Sequence, residues 1–426
     1  MSSDSTTPAI LGGDPAVTIP WEQDWPYVGA EEIETVVGLM RRGVLSIYDR
    51  SGIIAEFEDA FAAYHAHDGS RPYVVSHNAG TSALHAAYFG LGLGRGDEVI
   101  VPTYTFLATV TPLINLGATI VFADLDPQTL TVDPESVRSR ITDRTRAIVA
   151  THMWGHPADM PAICELADGR GIAVVEDCSH AHGATIGGRR VGTFGTAACF
   201  SLEGHKAMVA GEGGALVTSS REVYERALML GHFGRRVKDE VTRDELLPFV
   251  ETGFGHKYRM HPLAAGIALH QLERLDDRNR QRARNLDLLS ELLGAVPGID
   301  PPHTRADCTR GGWYGYKPVY REAELGGLPK ERFMSALRAE GVQVKNPGSP
   351  PLHRMPLFEL DEQGAARLGL PAFAGAARGG ADCPVAEATY PLLLSLPTFS
   401  GPDCEPVIRQ YGAAFAKVAE AAAKLV

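Results

Sequence analysis

Long apolar runs and local runs of positive charge are both missing from this chain of 426 residues. No stretch of 18 apolar residues occurs, which argues against a membrane-spanning helix. The net charge is −12 and no lysine-rich or arginine-rich run offsets it, which argues against nucleic acid and anionic membranes as partners. The first residues lack the basic and apolar regions of a signal peptide, so we expect a cytoplasmic protein that binds a small molecule.

Cysteine is also scarce, and no two cysteines form a CxxC pair. This spacing indicates neither a zinc site nor a disulfide framework, so we expect no metal. We interpret the cysteines as reduced thiols in the core. They are Cys164, Cys178, Cys199, Cys308, Cys383 and Cys404.

What the chain has instead is a series of short apolar segments, several of them separated by helical patterns. Continuous apolar strands that alternate with helices predict an α/β fold with a mainly parallel central sheet and flanking helices. Ligands of such sheets bind outside the carboxyl ends of the strands. The predicted strands are residues 73–76, 98–102, 119–124, 146–152, 172–177, 197–201 and 214–219.

Helical patterns also occur before and after this block. Residues 31–43 predict a helix that packs on one of the domains through Ile33, Val36, Val37 and Met40. Residues 262–293 form a long amphipathic segment that predicts a connection to a second domain.

The length predicts more than one domain. We expect an amino-terminal segment and a large domain in residues 1–270, followed by a linking helix and a smaller carboxyl-terminal α/β domain in residues 271–426. Residues 345–384 are rich in Pro, Gly and Ala and predict a long loop at the mouth of a site. The sequence leaves the conformation of residues 300–320 open.

The segment IAVVEDCSHAHGA ends a buried strand at Asp177 and places His180 three residues later. A buried carboxylate can hold a proton on a heteroaromatic nitrogen, because each charge favours the other. Pyridoxal phosphate requires such a carboxylate, together with a lysine and a phosphate cradle. His180 would then bond the phenolate oxygen of the cofactor or cover its ring. A capping aspartate and an ordinary core histidine are the alternatives.

Lys206 lies between a strand that ends at Ser201 and a glycine-rich turn at residues 211–214. A lysine held between buried strands loses hydration, so its pKa falls and the neutral amine can form a Schiff base. The alternative is a solvated surface lysine.

Small residues also open the helix that follows the first predicted strand, among them Gly80 and Thr81. Free backbone N–H groups at a helix N-terminus suit a phosphate. An ordinary N-cap is the alternative.

Together these residues resemble the sugar aminotransferases of the DegT family, a branch of the fold-type I pyridoxal phosphate enzymes. The resemblance covers roughly residues 30–280. It rests on motifs such as DEVIVPTYTFLATV, VVEDCSHAHGA, FSLEGHKAMVAGEGGALVT and GFGHKYRMHPLAAGIAL. It implies that Lys206 forms the Schiff base and that Asp177 pairs with the pyridine nitrogen. His180 stands where relatives carry Gln or His.

The resemblance also implies how the rest of the cofactor is held. Gly80, Thr81 and Ser201 would bind the phosphate, and Phe106 would stack on the ring. Many relatives carry an asparagine in the motif GxNYRM that reaches the phosphate of the neighbouring subunit. This chain has Lys257 there, so the resemblance implies a homodimer with shared active sites.

The motifs HMWGHPADM and EDCSHAHGA are similar to the branch that aminates keto-cyclitols or keto-sugars in natural-product biosynthesis. Glutamine or glutamate would be the amino donor. The region that contains Trp313, Tyr314 and His353 is expected to shape substrate choice.

Two other functions compete with this prediction. Some relatives replace the lysine by histidine and act as dehydratases, and His205 is adjacent to Lys206. Lys206, however, lies five residues after Ser201 and five before Gly211, which is the family spacing of the Schiff-base lysine. A non-catalytic regulatory protein of the same fold would be expected to lose Lys206 or Asp177.

Overall fold

The computed structural model describes residues 6–22, 25–370 and 382–426. Every segment predicted as a strand forms one, and these seven strands make up the central sheet. The strands within the described ranges are β1 (Tyr73–His77), β2 (Glu98–Pro102), β3 (Thr119–Ala123), β4 (Thr145–Thr151), β5 (Ala173–Asp177), β6 (Thr185–Ile186), β7 (Arg189–Arg190), β8 (Ala197–Ser201), β9 (Gly214–Thr218), β10 (Ile299–Asp300), β11 (Cys308–Thr309) and β12 (Val319–Tyr320).

The central sheet has the order β1-β9-β8-β5-β4-β2-β3. The pairs from β8 to β3 are parallel, and β9 runs antiparallel to both of its neighbours. The carboxyl ends of β2, β5 and β8 therefore lie at one edge of the sheet, where β9 begins. This arrangement confirms the predicted α/β fold with a mainly parallel sheet.

Helices cover both faces of this sheet. Alternate residues of one strand enter different cores: Val74 packs in a cluster with Phe57 of one helix, and Val75 packs in a second cluster with Tyr88 of another. The helices are α1 (Ala30–Arg41), α2 (Gly52–Tyr64), α3 (Gly80–Gly90), α4 (Thr111–Leu116), α5 (Pro134–Arg138), α6 (Met160–Ala167), α7 (Arg221–Gly231), α8 (Arg235–Glu240), α9 (Pro262–Glu273), α10 (Leu275–Gly294), α11 (Lys330–Ala339), α12 (Glu362–Arg367), α13 (Pro384–Thr389) and α14 (Glu405–Glu420).

None of the helices within the described ranges has both the length and the hydrophobicity that crossing a bilayer requires.

A third hydrophobic cluster lies among α10, α11 and α14, with Leu289, Phe333 and Phe415 fully buried in it. The amino-terminal segment packs on this cluster through Trp21, whose ring contacts Phe399 at 4.6 Å. The predicted domain boundary at residue 270 stays a prediction.

Two expectations need correction. Ile33 and Met40 of α1 do not pack on the chain, since they are 55% and 57% exposed. Glu32 is buried instead, because Gln271 and Arg274 donate hydrogen bonds to its carboxylate. Residues 262–293 form two helices, α9 and α10, and their predicted role as a connection to a second domain stays a prediction.

The second correction concerns residues 345–384, which are not one long loop. Short 3-10 turns occur at Leu352–Arg354 and Pro356–Phe358, and α12 follows them. Leu352 and Phe358 pack in the same core as the sheet residue Val75, so this segment is anchored on the large sheet. Residues 371–381 lie outside the described residues.

Candidate active site

A cavity of about 310 Å³ lies at the sheet edge where β2, β5 and β8 end. Seven of the eight predicted site residues line it, and Lys257 does not. The residues around the cavity are Ala79, Gly80, Thr81, Leu84, Thr105, Phe106, Ala108, Thr109, Thr151, Asp177, Ser179, His180, Ser201, Glu203, Lys206, Glu212 and Tyr314.

Asp177 is the last residue of β5 and is 4% exposed. Thr109 Oγ1 donates to its Oδ2 at 2.6 Å, and the Ser179 amide donates to its Oδ1 at 3.1 Å. Thr105 Oγ1 lies 2.8 Å from Thr109 Oγ1 and extends this hydroxyl network. These donors fix the carboxylate in one orientation.

Lys206 follows β8 and is 8% exposed. Burial lowers the pKa of its amine, although the nearby carboxylates of Asp177 and Glu203 partly oppose that shift. His205 is exposed to solvent and does not line the cavity. The structure therefore places Lys206 rather than His205 in the cavity.

His180 is buried, and its ring stacks on that of Tyr314 with centroids 3.9 Å apart. Burial, and then the charge of Lys206, lowers the pKa of His180 well below its ordinary value. The Trp154 amide donates to Nδ1 of His180 at 3.4 Å. The neutral ring consequently carries its proton on Nε2.

The N-terminus of α3 contacts the end of β8 with very little space between them. A Cβ atom at Gly80 would lie 2.7 Å from Ser201 Cβ, so glycine is required for this approach. The N-cap residue, Ala79, makes no side-chain cap bond to the first turn of α3. The first amides of the helix therefore lie beside Ser201 and Thr81, an arrangement that suits an anion.

Phe106 lines the same cavity and is 53% exposed. Lys257 is exposed in the loop before α9, where the next-but-one residue, Arg259, forms a bridge with His77 at the end of β1. Its predicted contact with the phosphate of a second subunit stays a prediction.

Of the three residues expected to shape substrate choice, Tyr314 alone lines the cavity. Trp313 is buried and stacks on Tyr316, with centroids 5.9 Å apart. His353 is buried and bonds Thr103, while its Nε2 lies 2.9 Å from Glu387 Oε1. Trp313 and His353 do not line the cavity, and the expectation that their region shapes substrate choice stays a prediction.

Sequence reasoning missed several residues of the cavity, chiefly Thr109, Glu203 and Glu212. The hydroxyl-rich run TYTFLAT after β2 is a signal that points toward Thr109. Glu203 and Glu212 lie within the motif that contains Lys206. Their charge, so close to this lysine, is the feature of the sequence that could have pointed to the cavity.

Buried beside the site is a cluster of His152, Glu176 and Cys178, whose ligand atoms lie within 4.8 Å of one another. His152 Nε2 lies 3.1 Å from Glu176 Oε2, and the Ala158 amide donates to His152 Nδ1. Glu176 also accepts hydrogen bonds from three backbone amides of residues 192–195. These bonds account for the cluster as a network that anchors the loop between β7 and β8.

Comparisons with known proteins agree with this geometry. The model of the DegT/DnrJ/EryC1/StrS aminotransferase family matches residues 26–409. The chain is 34% identical over 368 residues to the L-glutamine:2-deoxy-scyllo-inosose aminotransferase of Streptomyces paromomycinus, covering 85% of each chain. It is 35% identical over 338 residues to the L-glutamine:scyllo-inosose aminotransferase of Streptomyces griseus, covering 78% of each.

Solved structures of two other proteins are also similar to this chain over most of its length. The 3-amino-5-hydroxybenzoic acid synthase is similar with a TM-score of 0.77 and 29% identity, over 94% of this chain and 98% of that one. DesV of S. venezuelae is similar with a TM-score of 0.75 and 31% identity, over 92% of this chain and 95% of that one.

Proposed function

The chain belongs to the DegT/DnrJ/EryC1/StrS aminotransferase family, and from that premise we propose that it transfers an amino group from glutamine or glutamate to a keto-cyclitol or keto-sugar, with pyridoxal phosphate as cofactor. One observation carries the proposal. A buried lysine, Lys206, shares a cavity of about 310 Å³ with the Asp177 carboxylate and the open N-terminus of α3.

The residues of the cavity fit pyridoxal phosphate group by group. Asp177, held by Thr109, suits a protonated pyridine nitrogen. The glycine N-terminus of α3 at Gly80, in contact with Ser201, suits the phosphate. Lys206 suits attachment to the aldehyde. When bound, the cofactor would supply an electron sink for the carbon that exchanges its amino group.

The chain's own residues supply the proton transfers. Among the described residues that line the cavity, Lys206 is the one lysine. Its Nζ, with a pKa lowered by burial, accepts a proton from the donor's α-carbon and returns a proton to the acceptor carbon. His180 Nε2 carries a proton that it can donate to an oxygen in the cavity. Phe106 and Tyr314 place aromatic surface on the cavity wall, which reduces contact with water.

The lining of the cavity supports an uncharged, polyhydroxylated acceptor. Apart from Asp177, which is assigned to the pyridine nitrogen, the carboxylates of Glu203 and Glu212 line it, and the described lining residues include no arginine. Carboxylates accept hydrogen bonds from hydroxyl groups and repel the phosphates of a nucleotide-linked sugar. The names of the two inosose relatives give free cyclitol acceptors and L-glutamine as donor. We therefore favour glutamine and a free keto-cyclitol of natural-product biosynthesis for this chain.

An acceptor panel tests this proposal directly. The purified chain, loaded with pyridoxal phosphate and given glutamine, would receive scyllo-inosose, 2-deoxy-scyllo-inosose or a nucleotide-linked keto-sugar, and the amino product would be measured by mass spectrometry. We expect amination of a cyclitol, none with Lys206→Ala, and normal amination with Lys424→Ala, which removes an exposed lysine.

The possible results separate the two parts of the proposal. Amination of the nucleotide-linked sugar alone would refute the acceptor class and leave the aminotransferase assignment standing. If no acceptor is aminated and glutamine leaves the near-visible absorbance of the bound cofactor unchanged, the aminotransferase assignment itself fails.

The proposal includes a homodimer with shared active sites. Lys257 is exposed and does not line the cavity of its own chain. Nearby apolar side chains are also exposed, including Phe249 and Phe254, whose rings contact each other at 5.7 Å. An exposed apolar patch of this kind is typical of an interface. A two-fold interface would carry Lys257 to the phosphate site of the partner subunit.

Mixing two inactive variants tests the shared site. A dimer of one Lys206→Ala chain and one Lys257→Ala chain would contain one site with both lysines, so activity should return on mixing. Heterodimers confirmed by mass measurement but without recovered activity would overturn the shared site, and so would full cofactor affinity of Lys257→Ala alone.

A cytoplasmic location is also part of the proposal. All six cysteines of the chain are free, and five of them are buried. Thiols persist unpaired in reducing compartments, whereas secreted proteins commonly use disulfides. The free cysteines support this location.

A further inference from the structure

The Tyr314 ring contacts both basic groups of the cavity, His180 and Lys206. Its ring stacks on the His180 ring, with centroids 3.9 Å apart and planes 15° apart. The Nζ of Lys206 lies over the same ring, 4.0 Å from its centroid. A ring face already covered by a parallel imidazole has no room for an ammonium at that distance. Lys206 and His180 therefore occupy opposite faces of the Tyr314 ring.

The segment that carries Tyr314 is fixed against the loop that carries Lys206. A Cβ atom at Gly312 would overlap Cβ of Ala207, the residue after Lys206. Arg282 donates a hydrogen bond to the Gly312 carbonyl oxygen. The Trp25 side chain donates to the carbonyl oxygen of Lys206 at 3.1 Å. These contacts hold both backbones in place, so the ring is a fixed part of the cavity wall.

We propose that Tyr314 is a positioning residue: its ring holds the Lys206 ammonium on one face and the neutral His180 imidazole on the other. This deepens the proposed function, because both groups then keep their places before any cofactor enters. A cation over an aromatic face is attracted by the electrons of the ring, and the attraction grows when water is excluded.

Several other groups act on the charge of Lys206. The carboxylates of Asp177 and Glu203 favour the ammonium, and Glu212 lines the same cavity. Burial opposes the ammonium. The two nearby histidines, His180 and His182, are neutral because burial lowers their pKa, so they add no charge repulsion. Removal of the ring takes away attraction for the ammonium while these groups stay, so the pKa of Lys206 should fall.

The experiment measures the titration of Lys206 in the cofactor-free chain. Competitive labelling of amines over pH 6 to 11, read by mass spectrometry of the Lys206 peptide, gives a midpoint that does not depend on how open the cavity is. Tyr314→Leu should lower the midpoint by about 0.4 to 1.5 pH units, from the usual strength of a cation–π contact. Tyr314→Phe keeps the ring and should retain the wild-type midpoint.

Two further variants serve as a second test and as a control. Gly312→Ala forces the segment away from Ala207, so it should lower the midpoint as Tyr314→Leu does, and it serves if that variant fails to fold. Tyr390→Leu is the matched control, because the Tyr390 ring contacts Tyr104 rather than the lysine and should leave the midpoint unchanged.

The proposal is overturned if Tyr314→Leu keeps or raises the midpoint, if Tyr314→Phe lowers it equally, or if Tyr390→Leu lowers it equally. The assay needs no turnover. A negative result in this titration would therefore not count against the aminotransferase function. Conversely, the titration can still be interpreted if the chain aminates no acceptor.

Discussion

The contact between Gly80 and Ser201 is a steric limit on the phosphate side of the cavity, and Gly80→Ala tests its importance. The new Cβ would lie 2.7 Å from Ser201 Cβ and 3.0 Å from Ser201 Cα. Carbon atoms normally pack at about 3.5 to 4.0 Å, so α3 and the end of β8 must separate by roughly 0.8 to 1.3 Å. Because Cα of Ser201 belongs to the backbone, no side-chain rotation can relieve the contact.

Two effects on stability oppose each other in this variant. An extra methyl group in a packed position costs about 1 to 3 kcal/mol, and alanine in a helix returns about 1 kcal/mol relative to glycine. The free energy of unfolding should therefore fall by about 0 to 2 kcal/mol, and the chain should still fold.

The effect on cofactor binding should be larger. A shift of about 1 Å moves the first amides of α3 out of the narrow distance range of a hydrogen bond. A hydrogen bond to a charged group contributes about 1.5 to 3 kcal/mol, so affinity for pyridoxal phosphate should fall about 10- to 150-fold. Titration of the cofactor-free variant, followed by near-visible absorbance, measures this change.

Gly38→Ala is the control for this prediction. Gly38 also lies in a helix, α1, and its Cβ would meet the end of the flexible Arg42 side chain at 3.3 Å. It should keep wild-type affinity and lose no stability. If Gly80→Ala binds the cofactor as tightly as the wild-type chain, the steric argument for the cradle is wrong.

Three other predictions concern Lys206, Asp177 and Glu176. Lys206→Ala should fold normally, as a melting curve would show, and should lose transamination; measurable turnover in the folded variant would contradict its role. Asp177→Asn should still bind the cofactor but lose most turnover, because an amide cannot stabilise a protonated pyridine nitrogen; wild-type rates would exclude that role. Burial disfavours ionised Glu176, but hydrogen bonds from His152 and backbone amides outweigh it and lower its pKa. Glu176 therefore stabilises the fold above its unfolded pKa of about 4.5, and this stability is lost as the pH falls through the folded pKa. Glu176→Gln should weaken the pH dependence of urea unfolding below about pH 4.5; an unchanged dependence would contradict the argument.

The sheet could be predicted from the sequence because its signal is local. Each strand of the centre is a short apolar run, and residues such as Val99 and Val101 are fully buried in the sheet. The face of α1 could not be predicted in the same way. Glu32 points inward because Arg274 and Gln271, far along the chain, meet its carboxylate, while Ile33 remains exposed.

The same difference between local and long-range signals applies to the candidate site. The family match confirms the resemblance that rests on motifs around Asp177 and Lys206. Both residues line one cavity, because Asp177 ends β5 and Lys206 follows the adjacent strand β8. Thr109 was missed because its partner, Asp177, is 68 residues away and a threonine near a strand end has many other uses. His353 does not line the cavity, and nothing local in the sequence shows that Thr103 and Glu387 enclose it.

Tyr314 marks the limit of what a sequence pattern can reveal. It follows a pair of glycines, Gly311 and Gly312, in the run GGWYGY. Gly311 has a φ of +55°, and Gly312 touches Ala207 with no room for a side chain. Paired glycines before aromatic residues therefore indicate a close backbone approach, and the presence of such an approach could be predicted from the sequence. The sequence does not show that Ala207 is the residue approached, because an alanine side chain carries no charge, hydrogen-bond donor or periodicity that would identify it. Only the fold brings Ala207, and with it Lys206, to the ring.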